Sequence, residues 1–178
     1  IAERTALDLE ELLITGDELS GDTYLATVDG ALLMSDNTLV DGTGLGYGSD
    51  LWKAVVDAMP TKYLRNINMM KFNTSYATEH EYRKALAARE TGLGDALITG
   101  RQPVYGYGVQ LQPCALMPNG NVLFTYPNNI IWGIQRDIMI ETDRDIRARV
   151  LQVVLTMRID FKAETADAIV VAENVGAV

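Results

Sequence analysis

The stretch IIWGIQRDIMIETDRDIRARVLQVVLTMRIDF, from Ile130 to Phe161, constrains the fold more than any other part of the chain. From Val150 to Lys162 the odd positions include Leu151, Val153, Leu155, Met157, Ile159 and Phe161. The even positions include Gln152, Thr156, Arg158, Asp160 and Lys162. Alternation with period two puts one set on each face of a β-strand. Ile130–Thr142 alternates as well, with Ile130, Trp132, Ile134, Ile138 and Ile140 at even positions and Arg136 among them. The two runs predict an antiparallel hairpin with Trp132 and Arg136 on one strand face. Strands of roughly 13 residues would reach about 40 Å, whereas a usual strand has about five or six residues. Such a hairpin is longer than a small core needs, which poses the question of what its far half is for.

The rest of the chain reads as α+β. Ala2, Ala6, Leu9, Leu12 and Leu13 give residues 2–15 one apolar helical face, closed at Gly16-Asp17. No N-cap precedes it, so it reads as the back half of a longer helix. Gly21–Gly48 is mostly irregular, with short strands expected at Thr23–Val28 and Leu32–Met34. A second helix starts at a Ser49 or Asp50 cap, buries Leu51, Trp52, Val55, Val56 and Met59, and stops at Pro60. A strand is expected over Asn68–Phe72. Thr78-Glu79-His80-Glu81 looks like a capping box for a third helix, closed by Gly92. Short strands follow at Ala96–Thr99, Gly108–Gln112 and Val122–Thr125, and a last one at Ala168–Ala172.

Composition narrows the chemistry. With 48% hydrophobic and 22% charged residues, the 178-residue chain can bury a core. A net charge of −9 argues against coating nucleic acid or an anionic membrane. No apolar run approaches the ~20 residues of a membrane span, and no signal peptide is visible. A single cysteine, Cys114, excludes an internal disulfide and suggests a reducing compartment. The first residue is Ile1, so a longer parent or a cleaved precursor is expected. Gly44-Leu45-Gly46-Tyr47-Gly48 precedes a helix but lacks both dinucleotide and Walker spacing. It would be the only support for a small nucleotide-binding enzyme. His80 has no second histidine at zinc spacing, and Cys114 sits in no nucleophile motif. No catalytic residue, metal or cofactor is assigned. Glu141, Asp143 and Asp145 alternate with Arg144, Arg147 and Arg149 at the hairpin tip. A mixed-sign tip suits salt bridges to solvent or across a subunit boundary better than catalysis.

The order of these stretches carries a resemblance. ERTALDLEELLITGD, LWKAVVDAMPTKYLRNINMMKF, EYRKALAARETGLGD, YGYGVQLQPCALMPNGNVLFTYPNNIIWGI and the closing QRDIMIETDRDIRARVLQVVLTMRIDFKAETADAIVVAENV follow one another across nearly the whole chain. Together they resemble the C-terminal part of tailed-bacteriophage major capsid proteins of the HK97 fold. No single motif among them is specific; their order and spacing are. The resemblance implies a peripheral domain containing the end of a spine helix (1–48) and the long hairpin (127–165). It implies an axial α+β domain (49–126) and a terminal strand returning to it (166–178). The family's N-terminal arm and extended loop are missing here. The implied role is structural and non-enzymatic: self-assembly into pentamers and hexamers of an icosahedral shell in the virion, made in the bacterial host cytoplasm. The shell encloses DNA without sequence-specific binding, involves no membrane, and could contact portal or scaffold. The subunit-interface residues expected are Trp132, Arg136, Asp137, Glu141, Asp143, Arg144, Asp145, Arg147 and Arg149. Encapsulin compartments share this fold and form the alternative.

Overall fold

The computed structural model describes residues 2–35, 39–89 and 102–177. The elements in chain order begin with helix α1 (Ala2–Thr15), strand β1 (Leu39–Asp41) and helix α2 (Ser49–Ala58). Strand β2 (Lys71–Ser75) runs directly into helix α3 (Tyr76–Ala87). Then come β3 (Tyr105–Gly106), β4 (Val109–Cys114), β5 (Val122–Thr125), the hairpin strands β6 (Ile130–Asp145) and β7 (Val150–Ala163), and β8 (Val170–Glu173). The α+β class is the one the sequence predicts.

Six strands form one mixed sheet in the order β1-β8-β5-β2-β4-β3. The β1–β8 and β2–β4 pairs are parallel, while β5 runs antiparallel to both β2 and β8. The neighbouring inner strands β5 and β8 are apolar at three of four positions each because both faces of the sheet are covered there. Val122, Phe124, Val170 and Ala172 pack with Leu51, Trp52, Val55 and Met59 of the α2 side. Leu123 and Val171 point the other way, toward Ile14 of α1, Ala31 and Met117. Trp52 is fully buried and sits 4.9 Å from Phe72 and 5.1 Å from Tyr82 between ring centroids. Aromatic contacts of this kind concentrate burial in few side chains.

Local hydrogen bonds override several sequence patterns. Thr23–Val28 is not a strand; Leu25–Thr27 is a 3₁₀ turn. Asp22 accepts from the Tyr24 N–H at 2.9 Å, and the Thr27 hydroxyl donates to the Tyr24 carbonyl at 2.7 Å. Such side-chain bonds offer the backbone an alternative to a ladder. Leu32–Met34 also forms no strand, and Ala31 and Leu32 instead donate to the Leu13 and Ile14 carbonyls. Gly16 and Gly30 meet where these backbones cross. A Cβ on Gly30 would lie 2.7 Å from the Gly16 nitrogen, and one on Gly16 would run into the Val28 carbonyl oxygen. Glycine here permits close approach, not a left-handed cap.

The helix starts shift too. Gly48 occupies the cap of α2, without a side-chain bond. Ser75 caps α3 by accepting from the Thr78 N–H, so the cap lies three residues before the Thr78 of the expected Thr78–Glu81 box. Residues Leu64–Met69 form 3₁₀ turns, and the strand expected over Asn68–Phe72 starts at Lys71. A 3₁₀ turn at Ala166–Ala168 likewise delays the last strand to Val170. Gly92 and the Ala96–Thr99 strand lie outside the described residues.

The hairpin leaves the sheet at one buried polar joint. Asn129 is completely buried. Its side-chain N–H₂ donates to Thr125 Oγ1 (3.2 Å) and the Thr165 carbonyl (3.0 Å), and its Oδ1 accepts from the Thr165 N–H (2.9 Å). Its backbone carbonyl accepts from the Glu164 N–H, and Thr125 Oγ1 donates to the Ala168 carbonyl. One amide thus ties the end of β5 to both roots of the hairpin. Asn129→Ala strands several buried partners and is expected to cost about 2–3 kcal/mol. Urea unfolding followed by far-ultraviolet circular dichroism checks this; an unchanged midpoint would remove the joint's role.

Candidate assembly interface on the hairpin

Strand β6 has 16 residues against 14 in β7. The excess sits in two irregularities, between Ile134 and Arg136 and between Arg136 and Met139. Each extra residue is a bulge, and each shifts the pairing by one. A one-residue shift swaps the two faces of a strand; a second restores them. Below the bulges Trp132 pairs with Phe161 and Ile134 with Ile159; above them Ile140 pairs with Leu155 and Thr142 with Val153. The apolar face therefore continues along the hairpin. Between the bulges Arg136 stands opposite Arg158. This corrects the expectation that Arg136 shares a face with Trp132. Arg136 lies on the polar face, where its Nη2 donates to Thr156 Oγ1 at 2.7 Å.

Burial fades from root to tip. Phe161 is 3% exposed and packs with Leu12 and Val28 beneath α1. Trp132 meets the Phe161 ring edge-on at 5.5 Å between centroids, yet remains 47% exposed. Farther out, Arg4, Asp8, Leu9 and Tyr24 face Ile138, Leu155 and Met157 across a groove of about 530 Å³. Beyond it Ile140, Leu151 and Ile146 are 60%, 64% and 80% exposed. At ~3.4 Å per residue, the 14 residues of β7 span about 48 Å. The outer half is an apolar stripe that nothing in this chain covers among the described residues.

The charges at the tip are arranged by the register. Glu141, Asp143 and Asp145 pair with Val154, Gln152 and Val150 and share the face of Arg136, Thr156 and Arg158. Arg144 pairs with Leu151 on the opposite, apolar face. Asp145 Oδ1 accepts from the Arg147 and Ala148 N–H groups, which closes the turn. Arg149 follows with φ +56°. Asp137 lies at the second bulge. All nine expected interface residues are solvent-exposed. Among the described residues none of them lies within ion-pair distance of an opposite charge.

The sites considered for other chemistry have ordinary surroundings. In the Gly44–Gly48 loop, Gly44 N–H donates to the Ala177 carbonyl and Leu45 N–H to the Gly42 carbonyl, so these donors serve the fold. His80 is exposed on α3. Burial, then the Glu10 carboxylate, pushes the Cys114 thiol up from its ordinary pKa, away from nucleophilic use. Among the described residues no group of three metal-ligating side chains gathers, and no helix is long and apolar enough to cross a membrane.

No family model matches the chain. It is 38% identical over 180 residues to YqbE of Bacillus subtilis (strain 168), named as a prophage capsid protein. That alignment covers 95% of this chain and 58% of YqbE. The satellite phage P4 procapsid superposes with a TM-score of 0.70 at 13% identity, over 99% of this chain and 62% of that one. The capsid of an empty GTA particle gives 0.67 at 16% identity, over 98% and 65%. The SrpI encapsulin of Synechococcus elongatus gives 0.62 at 13% identity, over 98% and 63%. The chain has the HK97-type capsid fold. It is similar to a named prophage capsid protein and spans less than two thirds of that relative's length.

Two features of this capsid-fold chain escaped the sequence reading: the Asn129 joint and the Arg136–Arg158 pair. The first left no pattern. The second did leave a signal, since Arg136 breaks an otherwise apolar even-numbered series and a bulge is one way to absorb such a break. At Arg149, a left-handed backbone costs a non-glycine residue about 1 kcal/mol. Arg149→Gly should therefore slow amide exchange across the β6–β7 ladder; faster exchange would show that the arginine side chain itself holds the turn.

Proposed function

We propose that this chain is the C-terminal part of a major capsid protein of a tailed phage or prophage, acting by self-association. The observation that carries the proposal is the hairpin: its outer half exposes an apolar stripe and charges that, among the described residues, form no ion pair. Exposed apolar patches of this extent on a folded domain mark interaction surfaces. The capsid fold and the 38% identity to a prophage capsid protein support the same reading.

In this proposal residues 1–48 and 127–165 form the peripheral part, 49–126 the axial part, and 166–178 the returning strand. Pentamers and hexamers tile a shell in the virion after synthesis in the host cytoplasm. The role is structural, without catalysis or cofactor. DNA is enclosed without sequence readout, consistent with a net charge of −9. Portal and scaffold are further candidate partners. Trp132 supplies a half-exposed aromatic anchor. Arg136, Asp137, Glu141, Asp143, Arg144, Asp145, Arg147 and Arg149 set which neighbour fits where. An encapsulin-type shell is the second reading, supported by the SrpI superposition; the sequence relative favours the phage reading.

Arg144→Glu with Arg147→Glu in the intact parent protein tests the interface. Both side chains are exposed, so circular dichroism should be unchanged. Shell yield, read by sedimentation velocity and negative-stain microscopy, should fall sharply. Normal shells would overturn the interface assignment.

A further inference from the structure

The polar face of the hairpin carries an arginine pair at mid-strand, with Asp160 next to it toward the root, and a separate run of carboxylates toward the tip. At mid-strand, Arg136 and Arg158 are direct cross-strand neighbours. Directly opposed side chains in a sheet have Cβ atoms about 4.5–5.5 Å apart, and like charges there repel. Neither guanidinium is within ion-pair distance of a carboxylate among the described residues. The arrangement is nevertheless built. A bulge on each side turns Arg136 onto this face, and its bond to Thr156 Oγ1 fixes its direction. Without the bulges, parity would place Arg136 on the apolar face and leave Arg158 without this neighbour. Toward the tip, the same face carries Glu141, Asp143 and Asp145.

We infer that Arg136 and Arg158 form a two-guanidinium clamp for a carboxylate of a second copy's hairpin, drawn from Glu141, Asp143 and Asp145. The inference rests on the capsid reading and names the contact by which neighbouring hairpins engage. Guanidinium forks suit carboxylates, and paired forks suit them better than a single one. None of the tip carboxylates forms an ion pair with the arginines of its own chain among the described residues, and Asp143 and Asp145 lie six and eight β7 positions from Arg158, beyond side-chain reach along the ladder. A second copy brings them there when hairpins lie antiparallel, or parallel with a stagger. Both clusters are on one face, so each copy offers a donor and an acceptor. The carboxylate partner is favoured over nucleic-acid phosphate by the acidic chain as a whole.

Arg158→Lys in the intact parent protein keeps the positive charge and adds an amine. Carbodiimide treatment of assembled shells should then give a new inter-subunit amide, mapped by mass spectrometry to Glu141, Asp143 or Asp145. Unmodified shells should lack it, because arginine does not react. Arg136→Gln with Arg158→Gln should raise the concentration needed for assembly about tenfold or more. Arg136→Glu with Arg158→Glu should be rescued by Glu141→Arg with Asp143→Arg. Intact shells with no linkage to these three carboxylates would overturn the clamp and leave the capsid reading standing. Linkage absent together with loss of enclosed DNA would assign the pair to phosphate instead. A wild-type parent that forms no shells at all would remove the capsid reading, and the clamp with it.

Discussion

The fixed direction of the hairpin depends on one buried amide. Asn129 holds Thr125 at the end of β5 and the chain at Thr165, where β7 leaves the hairpin. The hydrophobic contacts at the root, Phe161 with Leu12 and Val28, and Ile130 and Ala163 against the cluster of Ile14, Ala31 and Leu123, are individually non-directional. They favour proximity and leave angle free. A hydrogen-bonded amide with both ends satisfied fixes angle as well. The consequence is set by leverage. A rotation of roughly 10° at the root would move the tip of a ~48 Å arm by about 8 Å. That is comparable to the Debye length at physiological salt, about 8 Å. A joint that slipped so far would take the tip charges out of range of any partner they were meant to meet.

The second constraint is parity. A strand has two faces and only two, so a single inserted residue would turn Ile140 and its neighbours outward and the carboxylates inward. The two bulges cancel. They let three kinds of surface coexist on one ribbon: an apolar face, a basic patch between the bulges, and an acidic stretch beyond them. The bulges also increase local twist and interrupt the free edge of β6. Among the described residues nothing pairs with either edge of this two-stranded ribbon, and an open, flat, apolar edge invites uncontrolled pairing. The charges spaced along both strands, together with the bulges, blunt that tendency.

How much of this was legible in the sequence follows from which patterns are long. Thirteen alternating residues announce a strand without help, so β6 and β7 were readable almost to their ends. Val122–Thr125 was readable too, as a short apolar run between turn residues. Strands β1 and β3, of three and two residues, carry no pattern at all; they exist because a neighbouring strand offers them hydrogen bonds. Thr78-Glu79-His80-Glu81 matched a capping box, but Ser75 reaches the free N–H groups first because β2 delivers it there. The charged tip was visible as composition. Its division by face was not, because it requires the register, and the register depends on two bulges that composition does not mark.

The uncovered stripe and the unpaired charges then have a common reading. An isolated two-stranded ribbon is marginal in water, since neither of its faces is fully buried. Here, among the described residues, α1 and its neighbours cover the root, and the outer half is left with Ile140, Leu151 and Ile146 in solvent. A domain whose sole purpose was its own stability would gain by shortening the hairpin near Ile138. Keeping the full length makes physical sense if the missing cover is supplied from outside. Apolar area supplies attraction without selectivity. The unpaired ions supply selectivity over short range and little net affinity while exposed. Placed on opposite faces of one arm, they give the hairpin two different surfaces: an apolar one open to any apolar cover, and a polar one selective for a partner with matching charges in matching positions.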